Sequence, residues 1–240
     1  MILSGRRFRP RWWSVLLTAT GIVLFSTLGF WQLERAALKE DIATRFEERL
    51  AQDYQPYTSR ADDEVRDLEY RKVLLDGRYD STRTLLVDNQ VNRGRAGYHV
   101  VTPLRLRDSD RVVLVNRGWA PWGESRQQIE PVAVPAQAGE VAGIAYFPSD
   151  PAFDFGGGES AGEWPRLITH IDIDALQAEF DGRLLPWVLW LAPEVPGSYV
   201  REWKPVWMQP EKSRAYATQW FAFAGLALLF FVFLNLRKVE

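Results

Sequence analysis

The search for chemistry in this chain starts with two histidines and no cysteine. Without cysteine there is no disulfide framework, no thiolate metal site, no covalent c-type haem attachment and no thiol-based copper carriage. Two histidines leave little for a multi-histidine zinc or copper site. His99 lies between Tyr98 and Val100, and His170 between Thr169 and Ile171; both settings predict strand residues with satisfied rings rather than ligands. No H-E-x-x-H helix is present, and the one G-x-S-x-G spelling, Gly158 to Gly162, falls in a glycine-rich stretch that reads as a loop rather than as a strand-to-helix elbow. Asp62-Asp63 sits in a charged stretch that reads as solvated, and Asp172 and Asp174 suit helix capping better than catalysis. Gly156-Gly157-Gly158 lacks the Lys and Ser/Thr of a phosphate loop and reads as a flexible loop. By residue type alone an enzyme is the weaker reading.

A different constellation stands near the C-terminus. Tyr216, Gln219, Trp220 and Phe223 are spaced 0, 3, 4 and 7, which puts them on one helical face. Such a face can stack on a flat apolar ligand and offer it a hydrogen bond. It can equally be an interfacial aromatic belt packed on Phe30 and Trp31. The residue types leave both readings open.

The element that carries this face is an uncharged run of 22 residues, Ala215 to Leu236. A second such run covers Trp12 to Leu33. Each exceeds the roughly 18 apolar residues that mark a membrane-spanning helix. Aromatic residues stand at their ends, with Trp12, Trp13, Phe30 and Trp31 on the first and Tyr216 and Trp220 opening the second. Neither run holds an ionisable residue, so neither reads as an ion path. The first run is longer than a signal-peptide core of about 7–15 residues and is not followed by a small-residue cleavage pattern, so it reads as a retained span. Arg6, Arg7, Arg9 and Arg11 precede it, and Arg237 and Lys238 follow the second. The positive-inside rule therefore predicts both termini in the cytoplasm and the middle of the chain outside. The expected division is a cytoplasmic tail over 1–11, spans over 12–33 and 215–236, an extracytoplasmic domain over 34–214 and a second tail over 237–240. Tails this short have no room for an organelle transit peptide, a kinase or a DNA-binding domain, which favours a bacterial inner membrane. The acidic middle gives no support to nucleic-acid binding, and the bilayer itself is the first expected partner.

Within 34–214 the pattern is helical at first. Leu38, Ile42, Phe46 and Leu50 recur every four residues and extend the first span as a surface helix. Beyond Tyr70 the texture is β. Val73 and Leu75 precede a turn at Asp76-Gly77, Thr84 to Val87 reads as a short strand, and Asn92 to Gly97 as a loop. Tyr98 to Leu106 and Arg111 to Asn116 form a hairpin across Asp108-Ser109-Asp110. Glu140 to Phe147, Leu167 to Ile171 and Trp187 to Leu191 are further strands. A short helix starts at Asp174 with Gln177 as its capping-box partner, its apolar face carrying Leu176 and Phe180. The fold class expected is a membrane protein with two transmembrane helices flanking a mostly antiparallel β (α+β) domain, open or partly closed into a barrel. Strand order is not derivable from the sequence.

One set of residues goes further. Gly29-Phe30-Trp31-Gln32-Leu33-Glu34-Arg35, Tyr70-Arg71-Lys72-Val73, Gly97-Tyr98-His99-Val100-Val101-Thr102-Pro103-Leu104, Val115-Asn116-Arg117-Gly118-Trp119, Trp164-Pro165, Trp203-Lys204-Pro205 and Tyr216-Ala217-Thr218-Gln219-Trp220-Phe221 occur in this order. Together they closely resemble the surfeit locus protein one family over nearly the whole chain. The resemblance implies an assembly factor for haem-copper cytochrome c oxidase, assisting haem a insertion into the catalytic subunit or stabilising that subunit. It implies partners in the catalytic subunit and the haem a synthesis enzymes, and no catalysis by the chain itself. It implies no tightly bound cofactor and at most a transient encounter with haem a. In that reading Tyr216, Gln219, Trp220 and Arg214 are the haem-contacting residues; Arg214 and Lys212 can pair with propionates or be ordinary flanking charges at the interface. One position departs from the pattern. Many family members carry a His three residues before the Tyr, where this chain has Ser213, which is not a useful iron ligand. His99 or His170 is then the only imidazole left for such a role. The competing class is a two-span envelope scaffold or polymer-length regulator with no haem role, whose outer domain is dominated by long helices.

Overall fold

The computed structural model describes residues 2–3, 6–58, 65–107, 109–123, 134, 139–148, 164–203 and 209–238. The expectations for Asp62-Asp63, Gly156–Gly158 and Lys204-Pro205 lie outside these residues. The chain divides into two compact units, residues 1–46 with 204–240 and residues 47–203.

The first unit is a helix pair. Helix α1 is Trp12–Leu50, 39 residues without a break, and helix α2 is Pro210–Asn235. The charge-free first 22 residues of α1 rise about 33 Å at 1.5 Å per residue, against a hydrocarbon core of about 30 Å. The chain then continues helically because the four-residue repeat of Leu38, Ile42, Phe46 and Leu50 takes over. Helix α2 starts with Pro at its first position, where the missing N–H costs nothing. Both helices are long and apolar enough to cross a membrane.

They pack through small residues. Gly29, Ala36, Ser213 and Ala217 are buried, and a Cβ on Gly29 would sit 2.7 Å from the Phe221 ring. Only a missing side chain allows that approach, as expected where helices associate without a hydrophobic driving force. Beside it Phe30 meets Phe221 edge-on at 5.3 Å, and Phe25 stacks on Trp220 at 6.0 Å.

At the other end of the pair, two short strands occur where tails were expected. Strand β1 (Ile2–Leu3) pairs with β2 (Arg6–Phe8). The last strand of the chain, Leu236–Lys238, also pairs with β2, in the register Arg6 to Lys238, Arg7 to Arg237 and Phe8 to Leu236. The two basic ends therefore lie side by side. Asn235 ties them: its Oδ1 accepts from the Arg11 N–H and the Ser14 hydroxyl, each at 3.2 Å, and its Nδ2 donates to the Phe231 carbonyl at 2.7 Å.

The second unit is built on a closed five-stranded barrel. Its strands are β4 (Lys72–Tyr79), β6 (Arg95–Leu106), β7 (Val112–Pro121), β8 (Gly139–Tyr146) and β10 (Leu184–Leu191). They pair in the order β4-β8-β10-β7-β6, and β6 returns to β4 to close the ring. Within the ring only β10–β7 is parallel. Strand β3 (Gln55–Pro56) adds to β4, and β5 (Leu85–Asn92) adds to β6, carrying β9 (Arg166–Ile168) on its far side. A barrel in place of long helices speaks against the envelope-scaffold class.

Two cores explain the apolar runs. Val113, Val115, Leu185, Trp187 and Leu189 point into the barrel. Val112, Leu114, Leu184 and Val188 point outward, into a second core with Leu85, Val101, Leu176 and Phe180. Strand β7 is buried on both faces, which is why Val112 to Val115 is continuously apolar rather than alternating.

Several local expectations are corrected. Asp76-Gly77 is not a turn: β4 runs straight through it, because the glycine is needed where a Cβ would meet the Arg105 carbonyl oxygen at 2.5 Å. The loop expected over Asn92 to Gly97 is a two-residue hairpin turn, Arg93-Gly94, with both residues at positive φ. The strand expected over Leu167 to Ile171 ends at Ile168, leaving His170 in a bend. The short helix Ile173–Leu176 is capped by Asp172, whose carboxylate accepts from the Ala175 N–H at 2.9 Å. Gln177 makes no capping box. It bonds both backbone groups of Leu184 instead, at 3.0 and 3.2 Å.

Candidate functional site

In the helix pair, the face predicted on α2 divides. Tyr216 is 54% exposed and Phe223 46% exposed, and Gln219 is also exposed. Trp220 is half-buried, stacked on Phe25 and edge-on to Phe223 at 5.9 Å. Phe223 also leans on Phe25 at 5.8 Å. The belt reading expected Phe30 and Trp31 as partners, but Phe25 serves, one to two turns deeper on α1. Trp220 thus holds the helices together, while Tyr216 and Gln219 point away from the pair. Tyr216 and Gln219 are three residues apart and can present a phenol and an amide to the same ligand edge.

Arg214 is engaged within the pair by an ion pair to Glu40 on α1. Ser213 is buried in the seam and accepts a hydrogen bond from the Lys39 ammonium at 3.2 Å. A side chain at 213 faces α1, so this position is part of the helix–helix contact. Lys212 is exposed.

In the barrel unit, the structure reveals an assembly that the sequence pattern did not single out. Tyr146 at the end of β8 stacks on Trp190 of β10, with ring centroids 4.2 Å apart and planes 20° from parallel. Trp190 stacks on Trp203, at 5.3 Å and 16°. His99 of β6 meets the far side of Trp203 edge-on at 5.7 Å. The register makes this row possible: Trp190 is paired with Ile144, two residues from Tyr146, and with Asn116 on β7. Trp203 is locked onto β10 by its indole N–H, which donates to the Leu191 carbonyl at 2.7 Å.

The Asn116-Arg117-Gly118-Trp119 stretch builds the centre of this face. Register slips by one residue between Val100 and Val101, so that Arg117 is the extra residue of a β-bulge. Gly118 sits at φ +125° against Tyr199 Cβ and the Val200 carbonyl, a setting only glycine fits. Its N–H donates to Asn116 Oδ1 at 3.1 Å. That bond fixes the Asn116 amide, so Nδ2 must face His99 Nδ1, 2.8 Å away. An amide N–H only donates, so Nδ1 accepts and the His99 proton resides on Nε2. Burial pushes the imidazole down to about 4. His99 is therefore a neutral imidazole whose one lone pair, at Nδ1, is taken by Asn116, leaving Nε2–H as a donor. His170, the other imidazole, has its Nδ1 3.1 Å from the hydroxyl of its neighbour Thr169. Among the described residues no group of three His, Asp or Glu could hold a metal ion.

The remaining motif residues are structural in the same sense. The Arg117 guanidinium lies between the rings of Tyr79 and Tyr199, at 5.8 and 5.3 Å. Burial depresses its basicity and pushes Tyr79 up to about 12. Gly97 leaves room for the Trp119 ring, whose indole donates to the Gln90 carbonyl at 3.1 Å. The sequence signal that could have found the aromatic row is the pair Tyr146 and Trp190, large aromatics at outward positions near the ends of their strands.

Comparison with known proteins adds the following. The SURF1 family model matches residues 19–225, from within α1 to within α2. Surfeit locus protein 1 of Mus musculus is 30% identical over 148 residues, which are 55% of this chain and 44% of the mouse protein. Cytochrome oxidase assembly protein SHY1 of Saccharomyces cerevisiae is 34% identical over 107 residues, 43% of this chain and 27% of the yeast protein. A SURF1-like protein of Drosophila melanogaster is 30% identical over 143 residues, 52% and 44% of the two chains. The chain thus spans less than half the length of these relatives.

Proposed function

The chain belongs to the SURF1 family, and from that membership we propose that it is an assembly factor for a haem-copper cytochrome c oxidase rather than a catalyst. The yeast relative's own name supports the oxidase reading. We further assign it to assisting haem a on its way into the catalytic subunit, or to holding that subunit while haem enters. The observation that carries this finer reading is the exposed Tyr216–Gln219 edge beside Trp220, which stacks on Phe25. A phenol and an amide left facing the surroundings beside an aromatic wall suit a flat apolar ring system with polar substituents.

The contact proposed is non-ligating and transient. Ser213 faces α1, and His99 offers a proton rather than a lone pair at Nε2. Haem a is then cargo, steadied by Trp220 at its side and hydrogen-bonded by Tyr216 or Gln219. Arg214 would have to leave Glu40 to reach a propionate, an exchange of one exposed ion pair for another. The partners in this reading are the oxidase catalytic subunit and the enzymes that make haem a. The location is a bacterial inner membrane, with both termini cytoplasmic and the barrel unit periplasmic. The pairing of the two basic ends supports placing both termini on one side.

Co-expression with haem a synthesis enzymes tests the cargo role. The purified full chain should carry substoichiometric haem a, and Tyr216→Ala with Gln219→Ala should remove most of it, while His99→Gln should leave the spectrum unchanged. A spectrum that shifts with His99→Gln would instead establish ligation.

A further inference from the structure

The helix pair is tight at one level and open at another. At Gly29 the helices touch, and at Asn235 they are tied to each other. Between these levels small residues on both helices, Thr18 and Gly21 on α1 and Ala227 on α2, leave a groove of about 540 Å³. It runs from Arg11 to Phe25, about 21 Å at 1.5 Å per residue, comparable with one leaflet of a hydrocarbon core about 30 Å thick.

The lining changes character along that length. Arg11, Ser14 and Asn235 lie at the end of the helices, and Leu17, Gly21, Phe25, Phe230 and Phe231 lie deeper. At the polar end the exposed Arg9 and Arg11 stand beside the paired terminal strands. Their register puts Arg6 opposite Lys238 and Arg7 opposite Arg237. With the exposed Arg9 and Arg11 this end of the helix pair is basic and suits an anion. The order cation, hydroxyl and amide, then hydrocarbon is the order of groups along a glycerophospholipid, read from the opposite sign.

We infer that the groove between α1 and α2 binds one anionic glycerophospholipid, its phosphate at the Arg9–Arg11 end and one acyl chain lying along Gly21 to Phe25. The bound lipid fills the seam and sets its charge against Arg9 and Arg11. It thereby fixes the spacing of the helices between the Gly29 contact and the Asn235 tie. This site adjoins the Tyr216–Gln219 face through Phe25, which stacks on Trp220, but it does not depend on the function assigned to that face.

Native mass spectrometry of the full chain, released from detergent with equal phosphatidylglycerol and phosphatidylcholine, tests the inference. The wild-type protein should retain one phosphatidylglycerol several-fold more often than phosphatidylcholine. Gly21→Phe, whose new ring enters the groove, should lose the retained lipid several-fold. Ala227→Phe fills the same groove from the other helix and repeats the test should Gly21→Phe not fold. Gly225→Phe adds a ring where nothing lies within 4 Å and should bind lipid like wild type. Arg9→Gln with Arg11→Gln should keep a lipid but lose the preference for the anionic one. Equal retention of the two lipids, a wild-type phosphatidylglycerol signal in both groove-filling variants, or a lipid-free dimer that these variants split would overturn it. The last outcome would give the groove to a second copy of the chain.

Discussion

At the scale of single residues, structural and functional roles are separable. Arg214 and Glu40 are each about half exposed, so their ion pair is screened and contributes no more than about 1 kcal/mol. Arg214→Ala should lower thermal stability by less than that amount, measured by unfolding in detergent. A large loss of oxidase maturation with unchanged stability would then place Arg214 in the working surface. His99 behaves in the opposite way. Its folded-state pKa of about 4 lies below the ordinary 6.5, so protonation favours the unfolded chain. Stability should be independent of this group above pH 6.5 and should fall as the pH drops from 6.5 toward 4. His99→Gln should flatten the part of that loss between pH 6.5 and 5, above the range of most carboxylates, as read by thermal midpoints against pH. The tautomer behind this was not legible in the sequence. It depends on Asn116, which depends on the Gly118 N–H, and the bulge that places Gly118 is a property of strand register.

At the scale of elements, the glycines mark where chain segments come closest. Gly118→Ala forces a Cβ into φ +125° and against Tyr199 Cβ and the Val200 carbonyl. It should cost about 2 kcal/mol or more and detach the strand-like contact of Trp119 with Val200, visible as faster amide exchange at those two residues. Gly29→Leu should push the helices apart at Phe221 while leaving the barrel's thermal transition within about 0.5 kcal/mol of wild type, since distant sites add independently. Elements were legible where the cause is local. The two spans show in an absence of charge, and the β6–β7 hairpin in two Val- and Leu-rich arms. Strand β4 was misread at Asp76-Gly77 because the reason for Gly77 is the Arg105 carbonyl, 28 positions away. Helix α1 and its extension were readable from the change of repeat at Glu34, whereas the terminal strands were not, because each is too short to carry a pattern.

At the scale of the whole molecule, a helix pair with an exposed polar edge and a barrel with a stacked aromatic row sit on one chain. Ring closure through β4–β6 and the row from Tyr146 to His99 follow from strand order, which no spacing in the sequence encodes. The family was readable through short motifs whose structural reasons are now visible: a bulge at Arg117, a ring bed at Gly97, a seam at Gly29. The central claim is the oxidase-assembly role, and it is tested most directly by the reduced-minus-oxidised spectrum of membranes from a strain lacking the gene and any paralogue. The haem a band should fall several-fold while b-type haem persists. Wild-type chain should restore it, and Tyr216→Ala with Gln219→Ala should restore only a fraction. A deletion strain with an unchanged haem a band and full oxidase activity would contradict the account.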